Sequence, residues 1–136
     1  LEKILAPIQS GEVEISIGSR YLKDSKITKA QPLYRRVWSR TANRIVQRIL
    51  LPGILDPHCG FKAFSAKSAQ TLFSQATVNE WSFDLEILAL AKKYGFGIQE
   101  VAVEWIHDEA SKGKISQLPQ EIKNLLVIRK RILNTN

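Results

Sequence analysis

A chain of 136 residues with 44% hydrophobic side chains can enclose one modest core, which predicts a single domain. Its one cysteine, Cys59, excludes an intramolecular disulfide and suits a reducing compartment, and its uncharged runs, such as 49–55, are shorter than the ~18 apolar residues of a membrane span. The net charge of +7 is local: nine basic residues between Arg20 and Arg48 face a single acid, Asp24, and such a concentration calls for an anionic partner.

In chain order, Leu1, Ile4, Leu5 and Ile8 recur at helical spacing until Ser10-Gly11. Val13, Ile15 and Ile17 then alternate with Glu12, Glu14 and Ser16, the period of a half-buried strand that ends at Gly18-Ser19-Arg20. Residues 21–31 show no period and predict a mobile basic loop. Pro32 opens the longest helix, which runs through Leu33, Val37, Trp38, Ala42, Ile45, Val46 and Ile49 until Pro52-Gly53. A polar turn over 56–60 and a short strand over 61–65 follow. Two helices are expected over 67–76 and 80–94, a single strand over 98–106, a polar loop over 107–117 and a last amphipathic helix over 119–133. This is an α/β arrangement, helix-rich with few strands. Two strands so far apart in sequence do not make a sheet alone, so a partner sheet is expected outside the chain, and the absence of any Met predicts a piece of a longer protein.

Arg36, Arg40, Arg44 and Arg48 lie four residues apart and form a ridge along the long helix. Like charges at that spacing repel by about 0.2 to 0.5 kcal/mol per pair, so the ridge needs anions or acids beside it. Phosphates answer this need, because guanidinium groups bind them bidentately and stay charged. Internal ion pairs are the plainer alternative. An anionic membrane surface is another, with Tyr34 and Trp38 as interfacial anchors, unless Trp38 is simply core. Nucleic acid is disfavoured for want of a binding signature.

Asp56, His58 and Cys59 could be imagined as a metal site, but no second ligand cluster with zinc-type spacing accompanies them. Asp56 before Pro57 is also an ordinary turn opener, and its functional use would be a carboxylate presented on a rigid turn. Asp84 and Glu86 fall at the start of a helix that Glu80 or Ser82 would cap. There negative charge is stabilised, and the alternative is that one of the two faces a cleft. Two residues apart, they point to different sides and are poorly placed to share an ion.

Ile17-Gly18-Ser19-Arg20, Tyr34-Arg35-Arg36, the run from Asp56 through Lys62 to Phe64, Trp81-Ser82-Phe83-Asp84-Leu85-Glu86 and Glu100-Val101-Ala102-Val103-Glu104-Trp105 occur in an order that resembles glycosyltransferase family 2. The resemblance is to its polyprenyl- or dolichyl-phosphate branch, above all the dolichyl-phosphate β-glucosyltransferases, and runs from about residue 5 to 133. It implies that residues 1–136 are the C-terminal, acceptor-side portion of a GT-A (nucleotide-diphospho-sugar transferase) fold whose donor-binding half is absent. The activity implied is transfer of a hexose, glucose before mannose, from a nucleotide sugar such as UDP-glucose to a polyprenyl or dolichyl phosphate at the cytoplasmic membrane face. The family's Mg²⁺ or Mn²⁺ is held by an Asp-x-Asp motif that this chain lacks, so the fragment alone is expected to be inactive.

By position, the resemblance puts Asp56, Asp84 and Glu86 on the acceptor side of the cleft as catalytic candidates. Arg20, Arg35, Arg36, Lys62, Ser111 and Lys112 become the phosphate-binding candidates. Ala110 stands where the family's loop has Gly, and His58 where another polar residue is usual. A phosphate acceptor is already anionic and mainly needs cations to position it, which favours the arginines over a general base.

Overall fold

The computed structural model describes residues 1–29, 32–77, 82–106 and 118–134. Five helices and five strands occur in the order α1 (Glu2–Gln9), β1 (Ile15–Ser19), β2 (Lys26–Lys29), α2 (Leu33–Ile49), β3 (Lys62–Phe64), α3 (Ala66–Gln75), α4 (Phe83–Lys93), β4 (Ile98–Ala102), β5 (Glu104–Ile106) and α5 (Leu118–Asn134). The mixed, helix-rich α/β character expected from the pattern is thus present.

β1 is the middle strand of a three-stranded sheet, antiparallel to β3 and parallel to β4. The alternation of its residues predicts a half-buried strand, yet all five are buried. Ile15 and Ile17 enter the core while α1 packs against the strand, so even Ser16 and Ser19 lose contact with water. Gly18 is required here, because a Cβ would come within 2.7 Å of Val103.

Two expectations are corrected. The basic stretch after Tyr21 is not wholly loop: Lys26–Lys29 forms β2, paired in parallel with β5. The alternation through Ile106 predicts one strand, but the chain changes sheets at Val103, whose carbonyl accepts from Lys26 N at 3.0 Å. β4 therefore completes the first sheet and β5 the second.

α4 is the centre of the core, with every residue from Leu85 to Ala91 buried, and Leu72, Val46, Leu125 and Ile128 bring α3, α2 and α5 against it. Burying such side chains gains roughly 1.5 to 3 kcal/mol each. Gly95, at φ +73°, ends α4 in the left-handed conformation that glycine adopts freely. Ser65 caps α3 by accepting from Ser68 N at 3.2 Å. Ser82 sits at the matching position of α4 without a side-chain cap bond, and its hydroxyl instead accepts from Asn124 Nδ2 of α5. Glu80 lies outside the described residues.

Candidate functional site

The end of β1, the turn after α2 and β5 converge on Arg20. Its guanidinium grips Asp56 bidentately, Nε to Oδ2 at 2.7 Å and the terminal nitrogen to Oδ1 at 2.8 Å, and its backbone N–H adds a third bond to Oδ2 at 2.9 Å. Asp56 is fully buried, and this coupling raises the Arg20 pKa further above its already high ordinary value. Glu100, on β4, holds the turn itself by accepting from the backbone N–H groups of Leu55 at 2.8 Å and Asp56 at 2.9 Å. The guanidinium carbon of Arg20 lies 5.3 Å from the Trp105 ring centre and 5.8 Å from that of Tyr21. Tyr21 in turn shares a 2.6 Å hydrogen bond with Ser39 of α2.

A cavity of about 520 Å³ opens here, lined by Arg20, Tyr21, Leu22, Ile27, Arg36, Arg40 and Trp105. Arg36 and Arg40 are exposed, and no acid among the described residues forms an ion pair with either. Arg20 is neutralised by Asp56, so the uncompensated charge of the cavity comes from the helix. Among the described residues, the internal ion-pairing alternative therefore holds for Arg20 and not for these two arginines.

The other candidates scatter. Asp84 pairs with Lys62 at 2.8 Å, and Lys62, whose side chain is nearly buried, also donates to the Cys59 carbonyl at 2.6 Å. Both lie around the 56–62 turn and outside the lining of the cavity. Glu86 is buried on another side of α4, accepting from Thr77 N and Oγ1 at 2.9 Å each and from Arg131 of α5. Asp84 and Glu86 thus diverge as their spacing requires. Arg35 belongs to the first turn of α2, with its side chain outside the described part, and Ser111 and Lys112 lie outside the described residues altogether. Burial pushes the His58 imidazole below its ordinary 6.5 against the opposing pull of Asp56 and Asp84, and it pushes the Cys59 thiol up, which leaves it protonated and inert. Tyr21, Arg40, Trp105 and Glu100 were not among the predicted site residues. Arg40 carried a signal in its place on the arginine ridge, and Glu100 and Trp105 in the motif that carries the family resemblance, while Tyr21 carried none.

Among the described residues no three His, Cys, Asp or Glu side chains cluster as metal ligands. Asp56, the most buried of the polar turn, is committed to Arg20. Among the described residues the divalent cation implied by the family resemblance finds no fitting donor set.

No family model matches the chain. Among curated proteins it is 35% identical over 135 residues, 98% of its length, to a dolichyl-phosphate β-glucosyltransferase of Dictyostelium discoideum, and 33% identical over 136 residues to the human protein of that name. It is also 35% identical over 105 residues to glycosyltransferase AglD of Haloferax volcanii. The chain spans 41% and 42% of the first two relatives, in their C-terminal part, and 16% of the third. Over nearly its whole length, then, this chain is homologous to the C-terminal part of the dolichyl-phosphate β-glucosyltransferases.

Proposed function

We propose that the chain is the acceptor-side portion of a family 2 glycosyltransferase with a GT-A fold. The intact enzyme transfers a hexose, glucose by the names of the relatives, from a nucleotide sugar such as UDP-glucose to a dolichyl or other polyprenyl phosphate at the cytoplasmic face of a membrane. The observation that carries this reading is the cavity beside α2, where Arg36 and Arg40, with no ion pair to a described acid, stand next to Leu22, Ile27 and Trp105. That combination suits a phosphate attached to a hydrocarbon.

In this reading Arg36 and Arg40 draw in the acceptor phosphate and hold its attacking oxygen. The apolar wall takes the first part of the chain and excludes water. A phosphate monoester needs little deprotonation, so the arginines act by positioning and charge stabilisation. Arg20, fixed by Asp56 and flanked by two aromatic rings, forms a rigid wall, and Asp56 serves as a positioning residue instead of a base. Mg²⁺ or Mn²⁺ and the nucleotide sugar belong to the donor-binding part, so residues 1–136 alone are inactive.

The test is incubation of the full-length protein with a polyprenyl phosphate and each common nucleotide hexose, with mass spectrometry of the lipid fraction. Formation of a lipid-linked hexose, greatest with UDP-glucose, supports the reading. Failure to form it with any donor overturns the reading.

A further inference from the structure

The two halves of α2 are held differently. The second half enters the core through Val46, and Asn43, also buried, donates from Nδ2 to the Leu55 carbonyl at 3.2 Å. Before Asn43 no described side chain of the helix is buried: Leu33, Tyr34 and Val37 are exposed and Trp38 is only half-buried. Arg36 and Arg40, the cations of the cavity, belong to this outlying half. Packing therefore leaves them on turns of helix that project beyond their last buried anchor. The tie that fixes these turns runs from Tyr21, whose hydroxyl lies 2.6 Å from that of Ser39. Among the described residues no other side-chain hydrogen bond or ion pair joins residues 33–42 to another element.

This tie starts from a rigid base. Tyr21 follows Arg20 directly, its ring centre lies 5.8 Å from the Arg20 guanidinium carbon, and Arg20 is gripped by the buried Asp56 through backbone and side chain. Ser39 stands one turn before Asn43, next to Arg40 and three residues after Arg36, so fixing it fixes both arginines. A hydroxyl inside a helix commonly bonds a carbonyl of the preceding turn, as Thr41 does to Val37 at 2.9 Å, whereas Ser39 reaches across to a phenol. A carboxylate in either place would pair with Arg36 or Arg40 and remove the charge the cavity needs. Two neutral hydroxyls fix the helix without that loss. We propose that Tyr21 is a positioning residue for the acceptor site, holding Arg36 and Arg40 at a set distance from Arg20 and Trp105 through Ser39. The proposal rests on the acceptor reading of the cavity and adds what keeps its strand side and its helix side in register.

The experiment uses the full-length protein with its native cysteines, Cys59 among them, replaced by alanine. Nitroxide labels at Val37→Cys and Gln70→Cys, both exposed, report the distance distribution between α2 and α3 by pulsed electron spin resonance. Tyr21→Phe and Ser39→Ala are expected to broaden that distribution, while Ser39→Thr, which keeps the hydroxyl, leaves it narrow. The same changes in the unlabelled protein are titrated with a short-chain polyprenyl phosphate and followed by ³¹P NMR. Each of Tyr21→Phe and Ser39→Ala should weaken binding roughly three- to tenfold, the double variant no further, and Ser39→Thr should bind nearly as the wild type does. In the transfer assay the acceptor KM rises and the donor KM does not. An unaltered distribution in Tyr21→Phe overturns the proposal, as do losses of affinity that multiply in the double variant. Transfer activity separates the two claims. Wild-type affinity in Tyr21→Phe of an enzyme that makes lipid-linked hexose defeats the positioning role alone. Weakened binding in a protein that transfers no hexose supports the role and counts against the enzymatic reading, and a wild-type protein that binds no polyprenyl phosphate overturns both.

Discussion

Arg20 and Asp56 are thirty-six positions apart and make three hydrogen bonds to each other, one of them through backbone. Removing one partner of a buried pair leaves an uncompensated group, so Asp56→Asn is expected to cost about 3 kcal/mol, toward the lower end for such pairs because Arg20 keeps 18% of its side-chain surface in water. Chemical denaturation of the variant measures this. His58 supplies a pH test. Its pKa is lower in the folded state, so the unfolded chain binds the proton more readily and folding stability falls as pH drops below 6.5 toward the folded value. His58→Asn is expected to flatten that part of the stability profile, and denaturation midpoints measured across it report the difference. At this scale the arginine ridge could be read from spacing alone. The Arg20–Asp56 pairing could not, because nothing local in a sequence announces a contact made by folding the chain back on itself.

Among the elements, α2 was legible because Pro32 and Pro52-Gly53 punctuate it on both sides. β2 was not, since Ile27 is its only large apolar residue and it becomes a strand through pairing with β5. The bend at Val103 was hidden because β4 and β5 continue one alternation, and the change of sheet shows only in contacts made by folding, the Lys26 N–H bond to the Val103 carbonyl and the close approach of Val103 to Gly18. Glu100 makes the first sheet matter to the site, since its carboxylate ties β4 to the turn that carries Asp56. Glu100→Ala strands two N–H groups and is expected to cost ~2 kcal/mol and to weaken acceptor binding, with Glu100→Gln recovering part of both. Denaturation together with acceptor KM tests this. Arg131 instead fastens α5 to Glu86 of α4 and to the Gln75 carbonyl at the end of α3. Arg131→Ala leaves the Glu86 carboxylate buried without that partner and is expected to cost about 2 to 3 kcal/mol of stability. The acceptor KM of the folded fraction should not change.

For the whole molecule, the concentration of charge between Arg20 and Arg48 was plain from composition, and the fold divides it between two uses. Arg20 is neutralised inside, while Arg36, Arg40, Arg44 and Arg48 remain on the exposed side of one helix. None of the described helices is long and apolar enough to cross a membrane. The sheet expected to need strands from elsewhere assembles three of its own, because β3 and β4 flank β1 from opposite sides. The central claim is that the cavity holds a phosphate through Arg36 and Arg40. Titration of the full-length protein with a short-chain polyprenyl phosphate, followed by ³¹P NMR, tests it most directly. Arg36→Ala and Arg40→Ala should each weaken binding by roughly tenfold or more, and by less at high salt. Wild-type affinity in both variants would contradict the account.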